Sequence, residues 1–297
     1  MPAGKMHDGE PDIDTALVHR LIAAQFPRWA QLPVERVDSA GTQNAMYRLG
    51  EDMVVRLPRT AGAAQDVVAE RVWLRRLAPA LAVAVPEPLT EGRPGEGYPW
   101  PWSVFRWLTG GIPVAGRIDE PERLAADLAE FVLSLRGVDP TGAPPSYRSE
   151  TLAARDTDVR AAIAGLAALG EIDTAAVSAV WDTALRAPAR PGPPVWIHAD
   201  LQPGNMLLAD GRLAAVIDFG CAGLGDPAVD LIPAWYVLPA AARPVFRAAL
   251  ATDDGMWTRA RGWALSIALM ELNYYRNTNP TMASTARYVI AETLTGR

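Results

Sequence analysis

Hydrophobic positions along this 297-residue chain follow two rhythms. Near the start, Leu17, Val18, Leu21 and Ile22 share one face of a helical repeat behind Asp14, whose short carboxylate suits a helix N-cap. Three short apolar runs follow, over 34–38, 45–49 and 53–57. They are broken by Gly41-Thr42-Gln43-Asn44 and by Gly50-Glu51-Asp52, and they predict an antiparallel meander. A helix is expected over 63–77, burying Val67, Val68, Trp73, Leu74 and Leu77, with two more strands over 87–91 and 103–107. Past Thr109-Gly110-Gly111 the period lengthens. Helices are expected over 121–135, 152–169, 174–186, 239–251, 255–276 and 281–294, with Pro/Gly-rich loops over 92–101 and 190–194. The pattern reads as an α+β lobe over 1–108 and a larger, mainly helical lobe over 109–297.

One stretch interrupts the helices: VWIHADLQPGNMLLADGRLAAVIDFG, residues 195–220. It predicts a strand over 195–197 and a hairpin of 205–208 with 213–217 around Asp210-Gly211. Such a hairpin brings Asn205 and Asp218 together, and Pro203-Gly204 tightens the turn that carries Asp200. Two carboxylates gathered in an apolar setting repel one another and lose hydration, a cost that a divalent cation removes. Oxygen ligands favour Mg²⁺, which keeps sites open for water and phosphate, so a nucleoside triphosphate is the expected second ligand. Asp200 can then accept a substrate hydroxyl proton as the phosphoryl group moves. His198 reads as a buried orienting residue.

Composition narrows the class. Apolar residues make up 49% and charged residues 21%, and no apolar run reaches the length of a bilayer span, so neither membrane insertion nor a leader peptide is expected. The net charge is −6 with no basic run, which argues against nucleic acid as a partner. The single cysteine, Cys221, forms no internal disulfide and fits a cytoplasmic setting as a packing residue. Lys5 is the only lysine, so chemistry that ordinarily uses lysine must use arginine.

His198-x-Asp200-x-x-x-x-Asn205, followed by Asp218-Phe219-Gly220 and Gly225-Asp226-Pro227, resembles the aminoglycoside phosphotransferase (antibiotic kinase) family of the protein-kinase-like superfamily. The resemblance runs along nearly the whole chain and implies a bilobal protein-kinase-like fold. It implies Asp200 as catalytic base and Asn205 and Asp218 as Mg²⁺ ligands. Arg56 stands where such kinases keep a lysine, with Glu70 as its helix partner. Arg56, Glu70, Thr42 of the irregular phosphate turn, and the hinge residues Phe105 and Trp107 are the expected nucleotide contacts. Asp226 is an expected helix N-cap ahead of Pro227, and Asp230 an expected brace for the catalytic loop.

The expected reaction is transfer of a γ-phosphate from ATP or GTP to a hydroxyl of a small molecule such as an aminoglycoside or macrolide, by a monomer or homodimer. Acceptor candidates are Asp253, Asp254, Glu271, Tyr274 and Tyr275, beside a stripe of Trp263, Ile267, Met270 and Tyr274 that reads as core. The alternative is a non-catalytic nucleotide-binding sensor or scaffold, supported by Arg56 and the irregular phosphate turn. A protein kinase is disfavoured by the short span between Gly220 and Asp226 and by the lack of an Ala-Pro-Glu segment.

Overall fold

The computed structural model describes residues 10–37 and 43–295. The predicted phosphate turn with Gly41 and Thr42, the strand end at Asp38 and the polar N-terminal tail lie outside the described residues, as do the Val67 and Val68 side chains. The chain divides into two compact units. The first comprises Met1–Pro79, Ala84–Thr109 and Ile217–Gly220, and the second Ala80–Val83, Gly110–Val216 and Cys221–Arg297.

In the first unit, α1 (Thr15–Gln25) begins at Asp14, whose carboxylate accepts the Leu17 amide at 2.7 Å. Its buried face is the predicted one. Strands β1 (Val34–Arg36), β2 (Asn44–Leu49) and β3 (Met53–Pro58) form the expected meander. Helix α2 (Ala61–Leu77) is capped by Thr60, and β4 (Pro88–Gly92) and β5 (Trp102–Arg106) complete an antiparallel sheet in the order β1-β2-β3-β5-β4. Burial of Leu17, Val18, Leu21 and Ile22 against Val34, Leu49, Val55 and Trp102 holds helix to sheet. Gly92 is dictated by packing: a Cβ there would sit 1.9 Å from the Trp102 ring.

The second unit contains α3 (Pro121–Arg136), α4 (Asp156–Ala168) and α5 (Thr174–Leu185). Strand β6 (Val195–Ile197) and hairpin β7 (Met206–Ala209) with β8 (Arg212–Val216) follow. Asp210 and Gly211 both have positive φ, as the predicted two-residue turn requires. Asp127 of α3 anchors the hairpin by accepting from Arg212 Nε (2.7 Å) and Nη2 (2.6 Å) and from the Leu213 amide (3.0 Å).

Three features depart from the sequence expectations. Strand β9 (Gly223–Gly225) pairs antiparallel with β6, and a short helix α6 (Pro233–Tyr236) follows it. The helix expected over 152–169 opens with a 3-10 turn, Leu152–Arg155. The one expected over 239–251 becomes α7 (Arg243–Ala249), because Pro244 lacks the amide that an interior helical position needs and is accommodated only in the first turn. Helices α8 (Asp254–Tyr275) and α9 (Pro280–Thr295) pack on each other, and α8 buries Trp263, Ile267, Leu269 and Leu272. No helix among the described residues is long and apolar enough to cross a membrane.

Candidate active site

The segment 198–205 begins where β6 ends. His198 is fully buried and its Nδ1 accepts the Asp200 amide at 3.2 Å, so it acts as an orienting residue. Ala199 has φ +68°, a region that costs a residue with a Cβ roughly 1 kcal/mol or more. Asp230 holds it there: Oδ2 accepts the His198 amide and Oδ1 the Ala199 amide, both at 2.8 Å. Asp230 has no exposed surface, and burial pushes its carboxyl upward while the two amides and His198 oppose that. The bracing role expected of Asp230 is met by these bonds. Asp226 caps the 3-10 turn Pro227–Leu231 by accepting the Ala228 amide at 3.0 Å, and it pairs with Arg259.

Both oxygens of Asp200 are held. Arg148 Nη1 and Gln202 Nε2 donate to Oδ1, each at 3.1 Å, and Asn205 Nδ2 donates to Oδ2 at 2.8 Å. Arg148 also donates to the Ala199 carbonyl at 2.5 Å. Burial lowers the Arg148 guanidinium, but Asp200, Cys221, Glu271 and Tyr236 together outweigh it and hold the group above its ordinary value. Asn205 spends its amide nitrogen on Asp200 Oδ2 and on the Asp200 carbonyl (2.8 Å), which leaves Oδ1 as the atom suited to a cation.

Arg148 was not a sequence candidate. It reaches Asp200 because β9 pins its loop: Ser146 N donates to the Leu224 carbonyl, Leu224 N to the Pro144 carbonyl and Tyr147 N to the Cys221 carbonyl, at 2.8–3.1 Å. Gln202 and Tyr236 were missed as well. Gln202 Nε2 donates to Glu271 Oε1 at 2.6 Å and Tyr236 Oη to Glu271 Oε2 at 3.0 Å. Burial, with Asp200 adding to it, raises the Glu271 carboxyl to about 7.

Of the acceptor candidates, only Glu271 joins this cluster. Asp253 caps α8 by accepting the Met256 amide at 2.6 Å, Asp254 pairs with Arg247 at the surface, and Tyr274 is largely exposed, its ring edge-on to Tyr275. Trp263 and Ile267 are core, as the stripe suggested, whereas Tyr274 leaves it.

In the first unit, Arg56 of β3 is buried and donates to Glu70 Oε2 (2.5 Å) and Asp218 Oδ1 (3.1 Å). Turned to satisfy both groups, the Asn44 amide oxygen accepts from Arg56 Nε and Nη2 at 3.1 Å. Glu70 also accepts the Phe219 amide at 2.8 Å, tying α2 to the Asp218-Phe219-Gly220 segment. Burial pushes Glu70 upward and Arg56 opposes it. On Arg56 burial acts downward, but Glu70 and Asp218 outweigh it. The guanidinium fork thus bridges two carboxylates at once, which an ammonium does less well. Asp218 has φ +65° and a side chain 44% exposed.

Among the described residues no cluster of three or more His, Cys, Asp or Glu is placed to hold a metal. A carboxamide oxygen such as Asn205 Oδ1 is a ligand type that Mg²⁺ accepts beside water and phosphate. At the hinge, the Arg106 amide donates to the Glu87 carbonyl and the Trp107 amide to the Asp52 carbonyl. Those two donors are therefore spent within the unit. Phe105 is buried, and the Trp107 ring lies under the Arg48 guanidinium at 4.6 Å.

Comparison with known proteins places these features in context. Residues 34–263 match the family model described as "Phosphotransferase enzyme family". The structure of the GDP complex of wild-type aminoglycoside 2'-phosphotransferase-IIIa superposes with a TM-score of 0.73 at 19% identity, over 95% of this chain and 99% of that one. The apoenzyme of macrolide 2'-phosphotransferase MphH from Brachybacterium faecium gives a TM-score of 0.63 at 25% identity, over 93% of this chain and 98% of that one. A 101-residue segment is 39% identical to the serine/threonine-protein kinase SULU of Caenorhabditis elegans, covering 32% of this chain. The chain spans only 9% of that relative's length.

Proposed function

We propose, for a chain that belongs to the phosphotransferase enzyme family, transfer of the γ-phosphoryl group of a nucleoside triphosphate to a hydroxyl of a small molecule. Asp200 is the base in this reading: it accepts the hydroxyl proton as the oxygen attacks phosphorus. Arg148, Gln202 and Asn205 hold its two oxygens, which supports the role because phosphoryl transfer depends on positioning more than on covalent chemistry. Asn205 Oδ1 and Asp218 are the proposed Mg²⁺ ligands, and the ion when bound would neutralise phosphate charge. Arg56, held by Glu70, is the proposed phosphate-side cation, with Thr42 and the hinge around Phe105 and Trp107 as further nucleotide contacts.

The observation that carries the reading is the fully held Asp200 carboxylate beside an Asn205 that keeps its amide oxygen for a cation. Relatives described as GDP and ADP complexes support a nucleotide donor. Relatives described as acting on aminoglycosides and macrolides support a polyhydroxylated antibiotic as acceptor. The test is incubation with ATP or GTP, with and without Mg²⁺, across aminoglycosides, macrolides and simpler alcohols, read by mass spectrometry. A product heavier by one phosphoryl group, formed only with Mg²⁺, supports the reading. Nucleotide binding with no transfer to any acceptor would favour the sensor alternative.

A further inference from the structure

We propose that Glu271 is a positioning residue for Asp200, acting through the side-chain amide of Gln202. The inference rests on the reading of Asp200 as the base, and it concerns what keeps that carboxylate in place.

Gln202 Nε2 carries two protons and places one on each carboxylate: Asp200 Oδ1 at 3.1 Å and Glu271 Oε1 at 2.6 Å. A side-chain amide on a tight turn is otherwise free to rotate, because nothing in its own segment fixes its terminal torsion. The short bond to Glu271 fixes it. Glu271 is in turn fixed by the Tyr236 hydroxyl at 3.0 Å and by its place on α8, whose neighbouring positions Ile267, Ala268, Leu269 and Leu272 are buried. A rigid helix therefore sets the direction of one of the two donors on Asp200 Oδ1; Arg148 sets the other.

Glu271 is partly buried, and the charged or titratable groups that act on it are Asp200, Tyr236 and Arg148, with Cys221 lying near Arg148. Burial pushes the Tyr236 hydroxyl well above its ordinary range, so it serves as a donor throughout the neutral region. When Glu271 ionises, its acceptor strength toward Gln202 rises, since hydrogen bonds to charged acceptors are roughly twice as strong as neutral ones. When it is protonated, the grip on Gln202 weakens. The geometry sets Glu271 apart from a residue that grips the acceptor: both of its oxygens are already taken within the protein.

The chain contains five glutamines, so selective ¹⁵N labelling of glutamine side chains gives a spectrum in which Gln202 is assigned by its loss in Gln202→Met. In the wild-type protein the Gln202 amide signals are expected to shift with a midpoint at about pH 7, and in Glu271→Gln that titration should vanish. Glu271→Gln keeps an acceptor for Gln202 and so is expected to fold. Its kcat for the best acceptor of the panel should fall on the order of tenfold, less than the roughly hundredfold that a 1 Å misplacement can cost, with KM for acceptor within about twofold. A Gln202 signal that does not move with pH, or that moves unchanged in Glu271→Gln, overturns the proposal. So does a variant whose KM rises while kcat stays constant, which would make Glu271 an acceptor contact. Unchanged turnover in Asp200→Asn would instead remove the base assignment on which the proposal rests, and the signal titration separates the two failures.

Discussion

Asp230 Oδ1 accepts the amide of Ala199 at 2.8 Å, and Ala199 is held there at φ +68°. The same carboxylate takes the His198 amide, so one buried side chain fixes the backbone entering Asp200. In Asp230→Asn one of these acceptors becomes an NH₂ that faces an N–H donor. A loss of about 2 kcal/mol in unfolding free energy is expected, the cost of leaving a buried polar group without a partner, together with a fall in kcat. Ala199→Gly, which removes the Cβ that makes this φ costly, should stay within about 1 kcal/mol of wild type. Denaturant melts of both variants check the pair.

Arg56 gives a second test. Removing it strands the buried Glu70 without its cation. Loss of one partner of a buried pair costs about 3–5 kcal/mol, whereas replacing both by apolar side chains is often near neutral. Arg56→Met is therefore expected to be severely destabilised, and the double variant Arg56→Met with Glu70→Met to recover only part of that loss, because it also leaves the Phe219 amide without its acceptor. Arg56→Lys should fold but bind nucleotide less tightly, since an ammonium cannot span Glu70 and Asp218 as the fork does. Midpoints in urea and nucleotide titration by calorimetry measure both.

Gly223 links an unpredicted strand to the site. A Cβ at this position would lie 2.6 Å from Ser146 N and 2.7 Å from the Pro144 carbonyl oxygen, both backbone atoms that cannot rotate away. Gly223→Ala is expected to lose about 1–3 kcal/mol by overpacking. It should also displace the loop that aims Arg148 at Asp200, so kcat falls even at temperatures where the variant remains folded. A thermal melt beside a kcat measurement separates the two effects.

Glu271 makes stability depend on pH with a definite sign. Folding raises its carboxyl from an ordinary 4.5 to about 7, so across that interval the folded chain holds a proton that the unfolded chain has released. The contribution is whole below about pH 4.5, is lost as pH rises toward 7, and is flat above. Glu271→Gln does not titrate. Its Tm should fall less steeply than that of wild type between about pH 5 and pH 7. Parallel curves would contradict the assignment.

Much of this was written locally in the chain. Asp14 and the Leu17, Val18, Leu21, Ile22 face mark α1, Asp210-Gly211 marks the hairpin turn, and the spacing from His198 to Asn205 marks the turn that holds Asp200. What stayed illegible is non-local. Strand β9 is Gly-Leu-Gly, too short and too glycine-rich to show an alternating pattern, and its partner β6 lies 30 residues back along the chain at Val195↔Gly225. Arg148 is 52 residues from Asp200 and sits in an irregular loop. Gln202 and Glu271, 69 residues apart, meet only because α8 packs behind the 198–205 turn. Hydrophobic periodicity locates α8 but cannot say which polar side chain on it meets which partner.

Asp200 is the residue on which the functional reading turns, and its replacement by asparagine is the sharpest test. The variant keeps the size of the side chain and its contacts from Arg148, so nucleotide affinity should stay within about twofold. Phosphoryl transfer to the best acceptor should drop by roughly 10²–10⁴, the range that a positioned general base supplies. Turnover equal to wild type would contradict Asp200 as the base.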